Sequence, residues 1–152
     1  MTLKLKSAVA GIALTLFSLT SHAGEFNEHS GVAIKGYDPV AFFKQNKPVR
    51  GNDDLRFDYK GSTFVFASAE NRAAFAADPV KYAPQYGGYC AFGTARGYKA
   101  DIDPSTFTVV DGRLYLNYNT QVQKEWAGDR ARFIGQANER WPTVSKTEKV
   151  FR

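Results

Sequence analysis

The 152 residues predict a small α+β fold: two β-hairpins packed with short helices, closed by helices near the C-terminal end. Two hairpin signals carry that reading. LRFDY and STFVF flank the pair Lys60-Gly61 at the length of a two-residue turn, and FTVV and RLYLNY flank Asp111-Gly112, a dipeptide that favours tight hairpin turns. The third observation is that stretches with helical caps follow each hairpin, as expected of hairpins that need covering on one face.

Taken in order, residues 1–23 have the form of an export signal. Lys4 and Lys6 give a basic start, Ala8 to Leu19 an apolar core, and Ser21-His22-Ala23 a small-x-small cleavage site. The apolar run falls short of the roughly 18 residues a membrane span needs, so the expectation is cleavage with no stable membrane anchor left behind. The mature chain would begin at Gly24 and be periplasmic or secreted. The whole chain carries a formal charge of +5; losing Lys4 and Lys6 and no acid brings this to +3. Acids and bases are interspersed, which excludes a nucleic-acid-binding run.

Residues 24–142 are expected to form one domain and 143–152 a disordered tail. Gly24 to Ser30 is short and polar and predicts a loose surface segment. A short strand before Gly36 and a helical turn capped by Asp38-Pro39 follow, with Val40 to Phe43 on its buried side. Gln45 to Asp54 reads as loop. In the first hairpin the two-residue turn sets Tyr59 opposite Ser62, Phe57 opposite Phe64 and Leu55 opposite Phe66. Ser68 caps a helix that Asp78-Pro79 ends. Ile102 to Thr106 reads as a proline-containing connection. Beyond the second hairpin, whose Leu114, Leu116 and Tyr118 share a face, Thr120 and Gln123 make a capping box. Gly128-Asp129 stops that helix and caps the next, on which Phe133, Ala137 and Trp141 recur, and Pro142 ends it.

The chemistry is expected in Tyr82 to Lys99, YAPQYGGYCAFGTARGYK, where the only cysteine sits among four tyrosines and four glycines. Glycines allow a tight coil that presses rings around Cys90. A lone cysteine cannot close a bridge within its own chain, so in an oxidising compartment Cys90 must be buried, metal-bound or reactive. As a thiolate it suits Cu(I) or Zn²⁺, but after cleavage the only imidazole left is His29 and no methionine remains. A closed zinc site within one chain is thereby excluded, while copper held by Cys90 and His29, or a thiolate bridge between two chains, is permitted. The tyrosines are expected to fill the core with their hydroxyls at the rim, with a pocket for a small ligand as the alternative. No phosphate-cradling glycine motif and no catalytic triad is present.

Gly36-Tyr-Asp-Pro-Val-Ala-Phe-Phe43 and FASAENRAAFAADPVKYAPQYGGYCAFG, from Phe66 to Gly93, resemble the exported branch of the YHS-domain family. The likeness runs from about Gly31 to Pro142, and the family's hairpin-then-helix core corresponds to Leu55–Ala77. Related domains occur in copper-transporting ATPases, where cysteines are thought to bind metal. At those positions this chain has Ala41, Ala67 and Asn71, and Cys90 lies in an extension beyond the core. The resemblance therefore implies fold and export more directly than metal binding. The resulting expectation is a non-enzymatic binding protein with a site between Tyr37-Asp38 and the Tyr89-Cys90 loop, lined by Tyr98 and taking copper or a small ligand. A Cys90-based redox sensor or enzyme, and a partner-binding module without a small-molecule site, are the alternatives.

Overall fold

Alternating side chains in Asn52–Tyr59 (β3) and Ser62–Phe66 (β4) form an antiparallel hairpin whose apolar face closes on the ring of Phe75. The structure is a computed structural model and describes residues 25–152; the expected export signal lies outside the described residues. Phe75 comes from Ala69–Ala77 (α2), capped by the Ser68 hydroxyl on the Asn71 amide, and it meets Phe57, Tyr59, Phe64 and Phe66 at 4.9 to 5.8 Å between ring centres. Tyr59 pairs with Ser62 and Phe57 with Phe64, as the turn length requires. Leu55 does not face Phe66. The register shifts between Asn52 and Arg56, and Asn52 takes that place, because a bulge inserts residues on one strand alone and breaks simple counting back from the turn.

Pro39–Lys44 (α1) lies against α2 and β4. Its N-cap Asp38 is fully buried and accepts from the amides of Val40, Ala41 and Ala67 and from Asn71 Nδ2, at 2.7 to 3.2 Å. The segment before it is not loose. Glu28–His29 (β1) and Val32–Ala33 (β2) pair, Phe26 packs edge-on against Phe64 at 4.9 Å, and Asn27 is fully buried with its amide on Gly87 O. One phenylalanine in a polar heptapeptide is sufficient to draw it inward, since burying such a ring is worth about 1.5–3 kcal/mol.

Pro79–Tyr82 (α3) follows α2, with Asp78 capping it through the Lys81 amide. Ala91–Arg96 (α4) and Lys99–Ala100 (β5) come next. Asp103–Val110 (β6) and Arg113–Asn117 (β7) then form the second hairpin around Asp111-Gly112. The stretch expected as a connection from Ile102 to Thr106 is largely strand: Asp103 pairs with Asn117, with a register shift before Thr108. Leu114 and Leu116 are buried, but Tyr118 lies past the strand and is 40% exposed, so the three do not share one environment.

Thr120–Gly128 (α5) and Arg130–Val144 (α6) close the chain over this hairpin, with Trp126, Phe133 and Ala137 buried beneath. The cap of α5 is Asn119, accepting from the Val122 amide at 2.9 Å. Gln123, expected in a capping box with Thr120, instead donates to Thr106 O and Thr108 Oγ1. Asp129 makes no cap bond and pairs with Arg132 at 2.7 Å. Pro142 does not end α6, which runs on to a buried Val144; the carbonyl it leaves unpaired, four residues back, belongs to exposed Asn138. Residues 143–152, expected as a disordered tail, carry the last turn of α6 and then Val150–Phe151 (β8), which pairs parallel to β5. The described sheets are all two-stranded, and one apolar cluster joins the two hairpins and their helices.

Candidate functional site

Three consecutive left-handed residues, Tyr86, Gly87 and Gly88, reverse the chain before the cysteine. Side chains at the two glycines would come within 2.4 Å of Glu25 O and 2.6 Å of the Ile34 side chain, so the turn requires glycine at both. The expectation of a coil around Cys90 is corrected at the next step: Cys90 is the N-cap of α4, and Gly97, also left-handed, ends that helix.

The sulfur is 1% exposed and has a defined set of partners. Cys90 Sγ accepts the Gly93 amide at 3.4 Å and donates to Asn117 Oδ1 at 3.6 Å. The same Oδ1 accepts the Phe92 amide at 3.2 Å, which fixes the orientation of the Asn117 amide and turns an oxygen lone pair towards the sulfur. That contact is favourable only while Cys90 keeps its proton. Burial pushes the thiol pKa up, and the amides of Gly93, Tyr118 and Phe92 oppose it without cancelling it. The group is therefore a protonated, weakly polar thiol at neutral pH rather than a thiolate ready for metal or electrophile.

Above the thiol lies a pocket of about 280 Å³ lined by Cys90, Tyr98, Ala100, Tyr118, Val122 and Phe151. None of these side chains is charged. Tyr98, Tyr118 and Phe151 are three of the five large apolar residues that remain exposed among the described residues, so the open rim is aromatic. The β5–β8 pair makes one wall: Ala100 stands opposite Phe151, and the Phe151 ring meets Tyr98 edge-on at 5.1 Å. Lys99 anchors the segment before β8, donating from Nζ to Ser145 O and Thr147 O at 2.8 and 2.7 Å; burial lowers its pKa.

Asp101 and Arg152, the residues following this pair, line a different hollow with Lys35. Asp101 accepts from Asn27 Nδ2, the Ile102 amide and, at 2.8 Å, His29 Nε2, and it forms an ion pair with Lys35 at 2.9 Å. Burial raises its pKa, but Lys35, the Ile102 amide, His29 and Asn27 outweigh this and bring it down to about 2. Arg152 lies 3.0 Å from His29 Nε2. With Nε2–H donated to Asp101, the guanidinium rests beside the imidazole without sharing that nitrogen.

Of the residues expected to form the site, Cys90 and Tyr98 come together and the others do not. Tyr37 is covered by the Arg50 guanidinium, 5.0 Å from its ring centre, and Asp38 is consumed in capping α1 and bracing α2. Tyr89 is buried under Lys99 and beside Trp141, with its hydroxyl pKa raised by burial. His29, expected to join Cys90 on copper, is engaged with Asp101, and the two side chains share neither a partner nor a pocket. Among the described residues no group of three or more His, Cys, Asp or Glu side chains is arranged to hold a metal ion. Asn117, Tyr118, Val122 and Phe151 were not expected at the site. Asn117 had one available signal, an amide directly after the run Leu114-Tyr115-Leu116, and Phe151 another, a single ring in a polar tail.

No family model, curated protein or solved structure matches this chain.

Proposed function

We propose that this chain is an exported, non-enzymatic YHS-type binding protein that holds a small, uncharged, largely apolar ligand in the pocket over Cys90. The motifs from Gly36 to Phe43 and from Phe66 to Gly93 support the family and, with residues 1–23, the exported location. The observation that carries the ligand class is the pocket itself: six uncharged side chains, an aromatic rim open to solvent, and a protonated thiol below. Its volume exceeds the roughly 150 Å³ of an apolar cavity that accepts benzene or xenon. Cu(I) needs at least a second soft donor near the sulfur, and the neighbouring polar groups are an amide oxygen and backbone amides.

The test is an NMR titration of the mature protein with benzene and 4-ethylphenol, repeated on Val122→Phe. Val122 is only partly buried, so the larger ring fills the pocket without crowding the core. Saturable shifts at Cys90, Ala100 and Val122 that vanish in Val122→Phe are expected. Shifts scattered over the surface would remove the proposal. Tight Cu(I) binding lost on Cys90→Ala would replace it with copper handling.

A further inference from the structure

We propose a second binding site, in the groove between the left-handed turn at Tyr86-Gly87 and α6, that takes a flat ring bearing a carboxylate. The groove encloses about 280 Å³ and shares no lining residue with the pocket over Cys90. Its apolar surfaces are rings. Trp141 is half-buried and packs edge-on against Tyr86 at 6.0 Å, Tyr59 is half-buried, and Val80 at the rim is 67% exposed, more than any other large apolar residue described. An aromatic surface of this kind left open to water favours a planar apolar partner.

The polar groups set the rest of the ligand. Glu25 and Lys60 neutralise one another at 3.1 Å. Arg113 makes no ion pair among the described residues, although Asp111 lies in the adjoining hollow; it therefore contributes an uncompensated cation to the groove. The Tyr86 hydroxyl donates to Asn138 Oδ1 at 2.9 Å, which leaves Asn138 Nδ2 to donate elsewhere. Ring faces, a side-chain amide and a lone guanidinium together match an aromatic or similarly flat ring whose carboxylate reaches Arg113.

The turn beneath is built to hold this arrangement. Tyr86 takes a φ of +55°, a conformation that costs a bulky side chain energy, and its ring is only 6% exposed. Asn27 donates its amide to Gly87 O, and a side chain at Gly87 would collide with Glu25 O, so the backbone cannot relax without displacing the N-terminal segment.

The experiment is a two-dimensional NMR titration with indole-3-acetate and phenylacetate, each against its primary amide. Trp126, fully buried, is the internal reference for Trp141. Saturable shifts of the Trp141 indole and of the Gln85 and Asn138 side-chain amides are expected, with Trp126 unmoved. Binding should weaken about five-fold for the matched amides and for Arg113→Gln, an exposed position whose replacement keeps the fold. Val122→Phe should leave it unchanged. No saturable shift at Trp141 at millimolar probe, equal binding of acid and amide, or loss of binding in Val122→Phe would each overturn the proposal. Because the last variant blocks only the pocket over Cys90, failure here and failure there are read separately.

Discussion

Asp101 shows how single side chains govern behaviour around the site. Its carboxylate ties the N-terminal segment, through Asn27 and His29, and Lys35 to the chain just after β5. Because its folded pKa, about 2, lies below the ordinary carboxylate value of 3.8, its contribution to stability is complete above pH 4 and is lost as pH falls through 2. Urea unfolding followed from pH 5 to pH 2 should therefore show a late acid decline. In Lys35→Met, which removes the strongest of the groups pulling that pKa down, the folded pKa moves back towards 3.8, so the decline should be smaller and should end at higher pH. Identical profiles would separate Asp101 from the acid response. At Cys90 the decisive neighbour is Asn117: an amide oxygen pinned by the Phe92 N–H can accept a hydrogen bond from the thiol but cannot stabilise a thiolate.

At the scale of elements, the cap of α5 separates what the residues state from what the packing decides. Thr120 and Gln123 have capping-box spacing, yet Asn119 caps and Gln123 crosses to β6, where Thr106 O and Thr108 Oγ1 offer it partners at 2.8 and 3.2 Å. Asn119→Ala should cost about 1 kcal/mol in thermal or urea unfolding, and Thr120→Ala a few tenths at most; the reverse order would restore the capping box. Both hairpins, α2 and the Asp38 cap were legible, because turn dipeptides and caps act within a few residues. Leu55 was misplaced because a bulge is invisible to counting from the turn. The ordered tail was missed because β8 is two residues long and is held mainly by Lys99 and β5, more than forty residues earlier in the chain. The pocket over Cys90 was half legible for the same reason: Cys90 and Tyr98 are local to one another, while Tyr118, Val122 and Phe151 arrive by tertiary packing.

For the molecule as a whole, one apolar cluster spans both hairpin units, which predicts a single cooperative unfolding transition. Phe75 belongs to the first unit and both tryptophans to the second. Phe75→Ala, leaving four rings without their common neighbour, should lower stability by about 3–5 kcal/mol as reported by tryptophan fluorescence. A tryptophan signal unmoved by that substitution would mean that the halves unfold independently. The account of function rests on a different feature, the apolar space between a protonated sulfur and an aromatic rim. The most direct measurement of it is a crystal structure of the protein under xenon pressure. Xenon should occupy the space bounded by Cys90, Tyr118, Val122 and Phe151; a structure with xenon elsewhere and none above the sulfur would contradict the account.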